Sequence, residues 1–353
     1  MSAVTDTDLP VVPGSTVGIV ANPMSGRDIR RLVAQASVFP NAEKTNMVLR
    51  LLAAAGAAGV ELVLVSTDGM GVAGGVARAV AKRRRGAGRL PALEFVELGA
   101  LTGTADDTRA TVRAMCARGA GVIAVLGGDG TVRAAAAASG DVPLLPLSTG
   151  TNNAFPEMWE ATVAGIAAAL LATERVATED VTYRGKALHV TAGGAHEIAL
   201  VDVCATTVAH VAAKALWQTA TLRELYCTFA EPHAIGLSSI AGLLHPVGRR
   251  DPHGVAVRLG AGATVLAPVA PGVIVPVEVA EVGPLRAGDT RRVALNRGTV
   301  AVDGEREIAF GPATPVTVTL AHDGPRVVDV RAALAAAAAG QLLVREHTLH
   351  VIP

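Results

Sequence analysis

The amino-acid sequence predicts an α/β protein in two parts, an N-terminal α/β domain around a mainly parallel sheet and a C-terminal all-β domain. Three observations carry this. Leucine-rich and β-branched runs alternate with segments of helical spacing as far as residue 157, and short glycine-rich turns join them. From residue 254 to 320, runs of Val and Thr are separated only by Gly, Pro and Asp turns. At 353 residues the chain exceeds the ~100–200 residues of an ordinary domain, so two domains are the natural partition.

Residues 1–14 read as an N-terminal tail. The β-branched run 16–21 is a strand that ends at Asn22-Pro23-Met24-Ser25-Gly26, a turn sequence with a helix expected soon after. Helical spacing follows at 45–58, a buried strand at 60–65 and a helix at 72–82. The alternation continues through strand 93–98, helix 106–118, strand 121–126, helix 131–139 and strand 142–147, giving an α/β domain over 15–157. In such βαβ units ligands sit outside the carboxyl ends of the strands. A helix at 161–172, strand-like runs at 181–192 and 197–205, a helical stretch and the β-rich 254–320 make a second domain over 158–328. The remainder, 329–353, reads as a helix at 330–338 and a strand-like segment at 341–352 that is placed to return to the first domain.

Composition excludes several classes of function. Half of the residues are hydrophobic but only 3% are aromatic, which suits tightly packed Ala, Val and Leu layers. Lys plus Arg, 31, balance Asp plus Glu, 31, so the chain has no electrostatic footprint for nucleic acid or an anionic membrane. The run Lys82-Arg83-Arg84-Arg85 reads as the solvated end of a helix. Cys116, Cys204 and Cys227 are far apart and show no CxxC spacing, which fits a reducing, cytoplasmic compartment rather than a disulfide framework or zinc site. The acidic N-terminus lacks the basic region of a signal peptide. Mean hydropathy is +0.42 and residues 259–277 carry no charge, yet Pro268, Pro271 and Pro276 would break a membrane-spanning helix, so this stretch reads as short strands joined by turns. No histidine pair has HxxxH or HExxH spacing; His233, beside Glu231, is the one placed near a candidate acceptor segment. The oligomeric state is open, and a homo-oligomer is compatible with the sequence.

Two loops could carry chemistry. The strand at 121–126 runs straight into Gly127-Gly128-Asp129-Gly130-Thr131, and an alanine-rich helix begins at once. Glycines let backbone amides approach an anion, and the helix start adds N–H groups and a positive dipole end, so a polyphosphate could sit there. A carboxylate repels phosphate, so Asp129 suits a general base or a magnesium contact. The residues alone leave open the plainer reading, a tight turn with Asp129 as a helix cap. One strand later, Ser148-Thr149-Gly150-Thr151-Asn152-Asn153-Ala154-Phe155 is dense in hydrogen-bonding groups and falls at the same sheet edge, as does the turn from Asn22 to Gly26.

Together these loops resemble the NAD-kinase and diacylglycerol-kinase superfamily. The stretch from Ala21 to Arg31, the stretch from Ser148 to Pro156 and Ile235-Gly236-Leu237-Ser238-Ser239-Ile240-Ala241-Gly242 are similar to its ATP-NAD kinase-like, acetoin catabolism protein X branch. The resemblance covers residues 17–310. It implies a Rossmann-like nucleotide-binding domain, an all-β acceptor domain, catalysis between them, ATP and Mg²⁺ as cofactors, and a small-molecule acceptor with NAD, hence NADP formation, first. It implies that Asn22, Gly26, Gly127, Gly128, Gly130, Thr131, Ser148, Thr149, Gly150, Thr151, Asn152 and Asn153 bind nucleotide and that Asp129 activates the acceptor hydroxyl. Asp303 and Glu305, in Val302-Asp303-Gly304-Glu305, would assist as the DGE acids of the lipid-kinase relatives do; Asp-Gly between apolar strands is also an ordinary hairpin turn. Metal ligands are not identifiable. The sequence departs from true NAD kinases in the continuation of the second loop and in lacking a clear Asn-Glu pair, so a lipid or other small-molecule acceptor, or a non-catalytic nucleotide sensor, remains an alternative.

Other nucleotide motifs fit less well. Gly69-Met70-Gly71-Val72-Ala73-Gly74 matches GxGxxG formally, but it opens a later unit, Asp68 interrupts the turn, and no GxxxxGK[ST] is present. The apolar residues Ile235, Leu237, Ile240, Leu243 and Leu244 could line a lipid pocket or belong to a buried helix.

Overall fold

The computed structural model describes residues 8–26, 39–83, 88–150, 153–208, 219–304 and 306–344. The first strand, β1 (Val12–Ala21), is wholly buried over its last seven residues, as expected of a strand covered on both faces. Helix α1 (Asn41–Ala57) turns an inward stripe of Met47, Val48, Leu51, Leu52 and Ala55 to the sheet. It begins four residues earlier than the apolar spacing indicated, because its first turn is polar. The alternation continues with β2 (Val60–Ser66), α2 (Val72–Ala81), β3 (Ala92–Val96), α3 (Ala105–Ala117), β4 (Val122–Gly127), α4 (Asp129–Ser139), β5 (Leu144–Ser148) and α5 (Ala161–Ala172).

Strands β1 to β5 pair in parallel in the order β3-β2-β1-β4-β5. The order reverses between β1 and β4, so the crevice for a ligand opens beyond their carboxyl ends. Two later strands complete this seven-stranded sheet: β17 (Arg326–Val328), parallel to β5, and β6 (Thr182–Arg184), antiparallel at the edge. Strand-like residues 181–192 therefore divide at Gly185-Lys186, with β6 in the parallel sheet and β7 (Ala187–Ala192) in another. The last helix, α7 (Val330–Ala339), packs Val330, Ala333 and Ala337 into the same core as α5. Residues 341–344 form a turn after it, and 345–353 lie outside the described residues.

The β-rich part holds two antiparallel sheets. One is six-stranded, in the order β12-β11-β10-β9-β14-β15, from β9 (Asp202–Thr206), β10 (Leu222–Cys227), β11 (His253–Ala270), β12 (Val273–Arg286), β14 (Gly298–Val302) and β15 (Arg306–Phe310). The other is four-stranded, β13-β16-β7-β8, with β8 (Ala195–Ala199), β13 (Thr290–Arg292) and β16 (Val316–Ala321). Val190, Val203, Val300, Val302, Val318 and Leu320 fill the space between them. The uncharged stretch 259–277 is neither a membrane helix nor short strands. It belongs to one long hairpin, β11 of 18 residues and β12 of 14, turned at Pro271-Gly272. Pro276 is tolerated because β12 is an edge strand, where a missing N–H costs little. Residues Ser238–Gly242 form a short helix, α6, that buries Ile240 and Ala241 with Leu237 beside it, while Leu243 is exposed.

Candidate functional site

At the carboxyl edge of the parallel sheet three loops are laced together. Asn22, just past β1, donates from Nδ2 to Thr131 Oγ1 (2.8 Å) and accepts the Met24 amide on Oδ1 (2.8 Å). Ser25 Oγ lies 2.7 Å from Thr149 Oγ1, joining the first loop to the third. Gly26 has φ +78°, and a Cβ there would stand 3.0 Å from Thr149 O, so both its conformation and its space favour glycine. Beneath this loop lies Lys44, a fully buried side chain of α1. Its Nζ donates to Pro23 O (3.2 Å), Ser25 O (2.8 Å) and Asn41 Oδ1 (3.1 Å), so a cation supports the loop from inside the protein.

The second loop joins β4 to α4 with no spare residue. Gly128, in extended conformation at φ −102° and ψ −174°, is the N-cap of α4 and Asp129 is the first helical residue. A Cβ on Gly127 would run into Thr131, and one on Gly128 would stand 2.9 Å from Asn153 Oδ1. Asp129 does not cap its own helix. Its Oδ1 accepts from the amides of Ala154 (3.1 Å) and Phe155 (2.8 Å), so the carboxylate locks the third loop against the second. In that third loop Thr149 N donates to Gly127 O (3.1 Å), Asn153 Nδ2 donates to Ser148 Oγ (2.9 Å), and Gly150 packs against the Asn153 amide. The structure thus brings Asn22, Gly26, Gly127, Gly128, Asp129, Gly130, Thr131, Ser148, Thr149, Gly150 and Asn153 to one edge. Thr151 and Asn152 lie outside the described residues. The loop runs directly into the start of an 11-residue helix, with the side chains of Thr131 and Asn153 packed against Gly127 and Gly128. Among the described residues no group of three or more His, Cys, Asp or Glu side chains is placed to hold a metal ion.

Across from this edge the β-rich part presents a second aspartate. Asp303 forms the β14–β15 turn with Gly304, both at positive φ (50° and 67°). Its side chain is fully buried. Its carboxylate accepts from the amides of Leu200 (3.1 Å), Val201 (2.8 Å) and Asp202 (3.2 Å) and lies 3.4 Å from Arg133 Nη1, which also donates to Val302 O (2.7 Å). Burial pushes this carboxyl above the ordinary aspartate value, while Arg133 and the three amides pull it back. Glu305 lies outside the described residues.

Two guanidinium groups tie the parts together. Arg133, from α4, ends in the Asp303 knot. Arg249 donates to Phe155 O (2.7 Å) and Ala154 O (2.6 Å), lies 3.4 Å from Glu231 Oε2, and stacks 4.4 Å from the Phe229 ring centroid. Sequence reasoning missed Lys44, Arg133 and Arg249. For Arg133 the available signal was a lone cation inside an alanine-rich helix, where a partner must exist; Lys44 in a polar first turn and Arg249 in a polar turn gave no such signal. His233 is an exposed neighbour of Glu231. Lys82 is the C-cap of α2, and Cys116, Cys204 and Cys227 are free thiols. The GxGxxG stretch is a capped helix start: Asp68 accepts from the amides of Met70 (2.7 Å), Val72 (3.2 Å) and Ala73 (2.7 Å), the donors a pyrophosphate would need.

Among the described residues no helix is long and apolar enough to cross a membrane. Residues 17–176 match the family described as ATP-NAD kinase N-terminal domain, and residues 186–323 match the one described as Acetoin catabolism protein X C-terminal domain. The chain is 44% identical over 346 residues, covering 96% of its own length and 94% of the relative, to "Acetoin catabolism protein X" of Cupriavidus necator. With an ATP-NAD kinase N-terminal domain match followed by this second domain, the chain belongs to the acetoin catabolism protein X family, a branch with an NAD kinase-like fold.

Proposed function

We propose that the protein is an ATP-dependent kinase that transfers a phosphoryl group to a hydroxyl of a small-molecule acceptor. The observation that carries this reading is the meeting of three glycine-bearing loops at the sheet switch point with Asp129 fixed between them and the β-rich part. The loop glycines and the start of α4 hold the polyphosphate of ATP. Magnesium, carried in with the nucleotide, supplies charge neutralisation at the phosphates. Asp129 takes the proton of the acceptor hydroxyl. That oxygen bonds to the γ-phosphorus, the bond from phosphorus to the β,γ-bridging oxygen breaks, and ADP leaves. Asp303 is a positioning residue that braces the opposite wall, and Glu305 keeps the assisting role that the family likeness suggests. NAD is the first acceptor to test because of the kinase-type N-terminal match; acetoin catabolism is what the name of the relative says of that protein.

The test is magnesium-ATP turnover with NAD, NADH, diacylglycerol, a sphingoid base and small polyols, followed by ADP release. Acceptor-dependent release that is lost in Asp129→Asn supports the reading. ATP binding with no acceptor turned over contradicts it and points to a nucleotide sensor, which needs the cradle but not a base.

A further inference from the structure

The four-stranded sheet carries a histidine pair that the kinase reading does not use. Its strands β7 and β8 are joined by Gly193-Gly194, a two-residue turn that pins their register, with Thr191 opposite His196 and His189 opposite Ile198. His189 and His196 are therefore diagonal neighbours on one face of the sheet. His189 Nδ1 stands 3.1 Å from His196 Nε2. At the other edge of the same ring, His189 Nε2 lies 3.0 Å and 2.9 Å from the two carboxylate oxygens of Asp323, in the turn between β16 and β17. The group is open to solvent, with His196 exposed and the side chains of His189 and Asp323 at 27% and 57% exposure. Among the described residues no Lys or Arg pairs with any of the three, and Asp323 bonds only to His189.

A carboxylate only accepts hydrogen bonds, so Asp323 keeps the His189 proton on Nε2 and leaves the Nδ1 lone pair facing His196. A carboxylate on the far nitrogen is the arrangement that orients a metal-bound imidazole. An ion at roughly 2.0–2.1 Å from both nitrogens, the usual zinc–imidazole distance, would see this 3.1 Å pair at an angle of about 100°, between the square-planar and tetrahedral values. We propose that His189 Nδ1 and His196 Nε2 together bind one divalent transition-metal ion of the Zn²⁺ class, with Asp323 as the positioning residue that orients His189. On binding, the His196 proton moves from Nε2 to Nδ1, and two bonds to the ion replace the hydrogen bond between the rings. Water completes the coordination, because no third His, Cys, Asp or Glu side chain among the described residues is placed to join. Imidazole ligands suit Zn²⁺ or Cu²⁺, whereas Mg²⁺ prefers oxygen, so the site is chemically separate from magnesium carried in with a nucleotide. It ties the edge strand β8 to β7 and, through Asp323, to the chain entering β17 of the parallel sheet. The proposal does not depend on the kinase reading.

The experiment is calorimetry and thermal melting of the full chain with ZnCl₂ and no nucleotide. The wild type is expected to bind Zn²⁺ in the presence of excess Mg²⁺, and its Tm to rise, because the folded sheet alone brings the two rings together. His189→Gln and His196→Gln should each weaken binding at least roughly 10-fold and remove the rise in Tm, while their Tm in EDTA stays close to that of the wild type. Asp323→Ala, which removes no ligand, should weaken binding by about 10-fold through the lost orientation of His189. With Cu²⁺ in place of Zn²⁺, electron paramagnetic resonance should show nitrogen hyperfine structure that either histidine variant loses. Absence of Zn²⁺ binding by the wild type overturns the site. Equal affinity in the wild type and both histidine variants also overturns it, placing the ion on other groups such as the free thiols or Asp129. Wild-type affinity in Asp323→Ala overturns the positioning role of Asp323.

Discussion

Asp129 and Asp303 are each followed by glycine and each border the same cleft, yet their surroundings differ. Asp129 opens a helix, and the amides it holds belong to a neighbouring loop, so its carboxylate stays at the edge where a ligand enters. Asp303 sits at positive φ in a hairpin turn, and three amides and a guanidinium enclose its carboxylate. The dipeptide is the same, but Asp129 is bonded to two amides of one loop and Asp303 to three amides and a guanidinium, which is why we propose a chemical role for the first and a positioning role for the second.

The sharpest way to break this comparison is to remove each charge in turn. Asp129→Asn should cost ~10²–10⁴-fold in turnover, the usual worth of a general base, with a smaller loss of Tm than Asp303→Asn, because the Asn side-chain oxygen can still accept from Ala154 and Phe155. Asp303→Asn should instead cost about 3–5 kcal/mol of stability, because it leaves Arg133 as an uncompensated buried charge. Urea unfolding and turnover measured on the same two preparations decide; a reversal of the two phenotypes would exchange the roles.

The phosphate cradle comes next. Gly127→Ala places a methyl against Thr131, displacing the hydroxyl to which Asn22 donates. ATP affinity should fall at least about 10-fold, by the loss of positioned amide donors, while secondary structure is kept. Calorimetry with magnesium-ATP checks this, and undiminished affinity would place the nucleotide elsewhere.

Arg249 sharpens the comparison from the other side, since it holds the backbone to which Asp129 is bonded. Arg249→Met keeps the volume but loses two bonds to carbonyls and the Glu231 partner, an expected cost of about 2–3 kcal/mol. Turnover should fall with it, because Ala154 and Phe155 position Asp129. A stable variant with normal turnover would show that the third loop is held without it.

The smallest expected effect concerns Lys186, whose Nζ donates to Gly248 O (3.0 Å), Asp251 O (2.9 Å) and His253 O (2.7 Å). Burial draws its pKa down to about 8, with Asp251 opposing. Between pH 8 and the ordinary lysine value of 10.5 the unfolded chain holds a proton that the folded chain has released, so stability rises with pH across that window. Urea midpoints at pH 7.5 and 9.5 should therefore increase for the wild type relative to Lys186→Met, and an equal or falling difference would contradict the shift.

Much of this was legible in the sequence, for identifiable reasons. Strands covered on both faces are written as apolar runs, and a glycine-rich turn between such a run and a helix places its loop at the sheet edge, which is why the loops at Asn22, Asp129 and Ser148 could be placed before their contacts were known. The splitting of residues 181–192 was not legible, because apolar alternation does not say which sheet a strand joins. Nor was the length of the hairpin from β11 to β12, since prolines read as strand breakers unless the edge position of β12 is known. The enclosure of the Asp303 carboxylate depended on amides of Leu200, Val201 and Asp202, about a hundred residues away in the chain, a contact no local pattern records.

Acceptor-dependent ADP release by wild type and Asp129→Asn, at saturating magnesium-ATP and matched Tm, tests the central claim most directly. The account predicts turnover of a small hydroxylated acceptor by the wild type and a loss of ~10²–10⁴-fold in the variant, with ATP still bound by both. Equal turnover in the two proteins, or ATP bound by both with no acceptor phosphorylated by either, would contradict it.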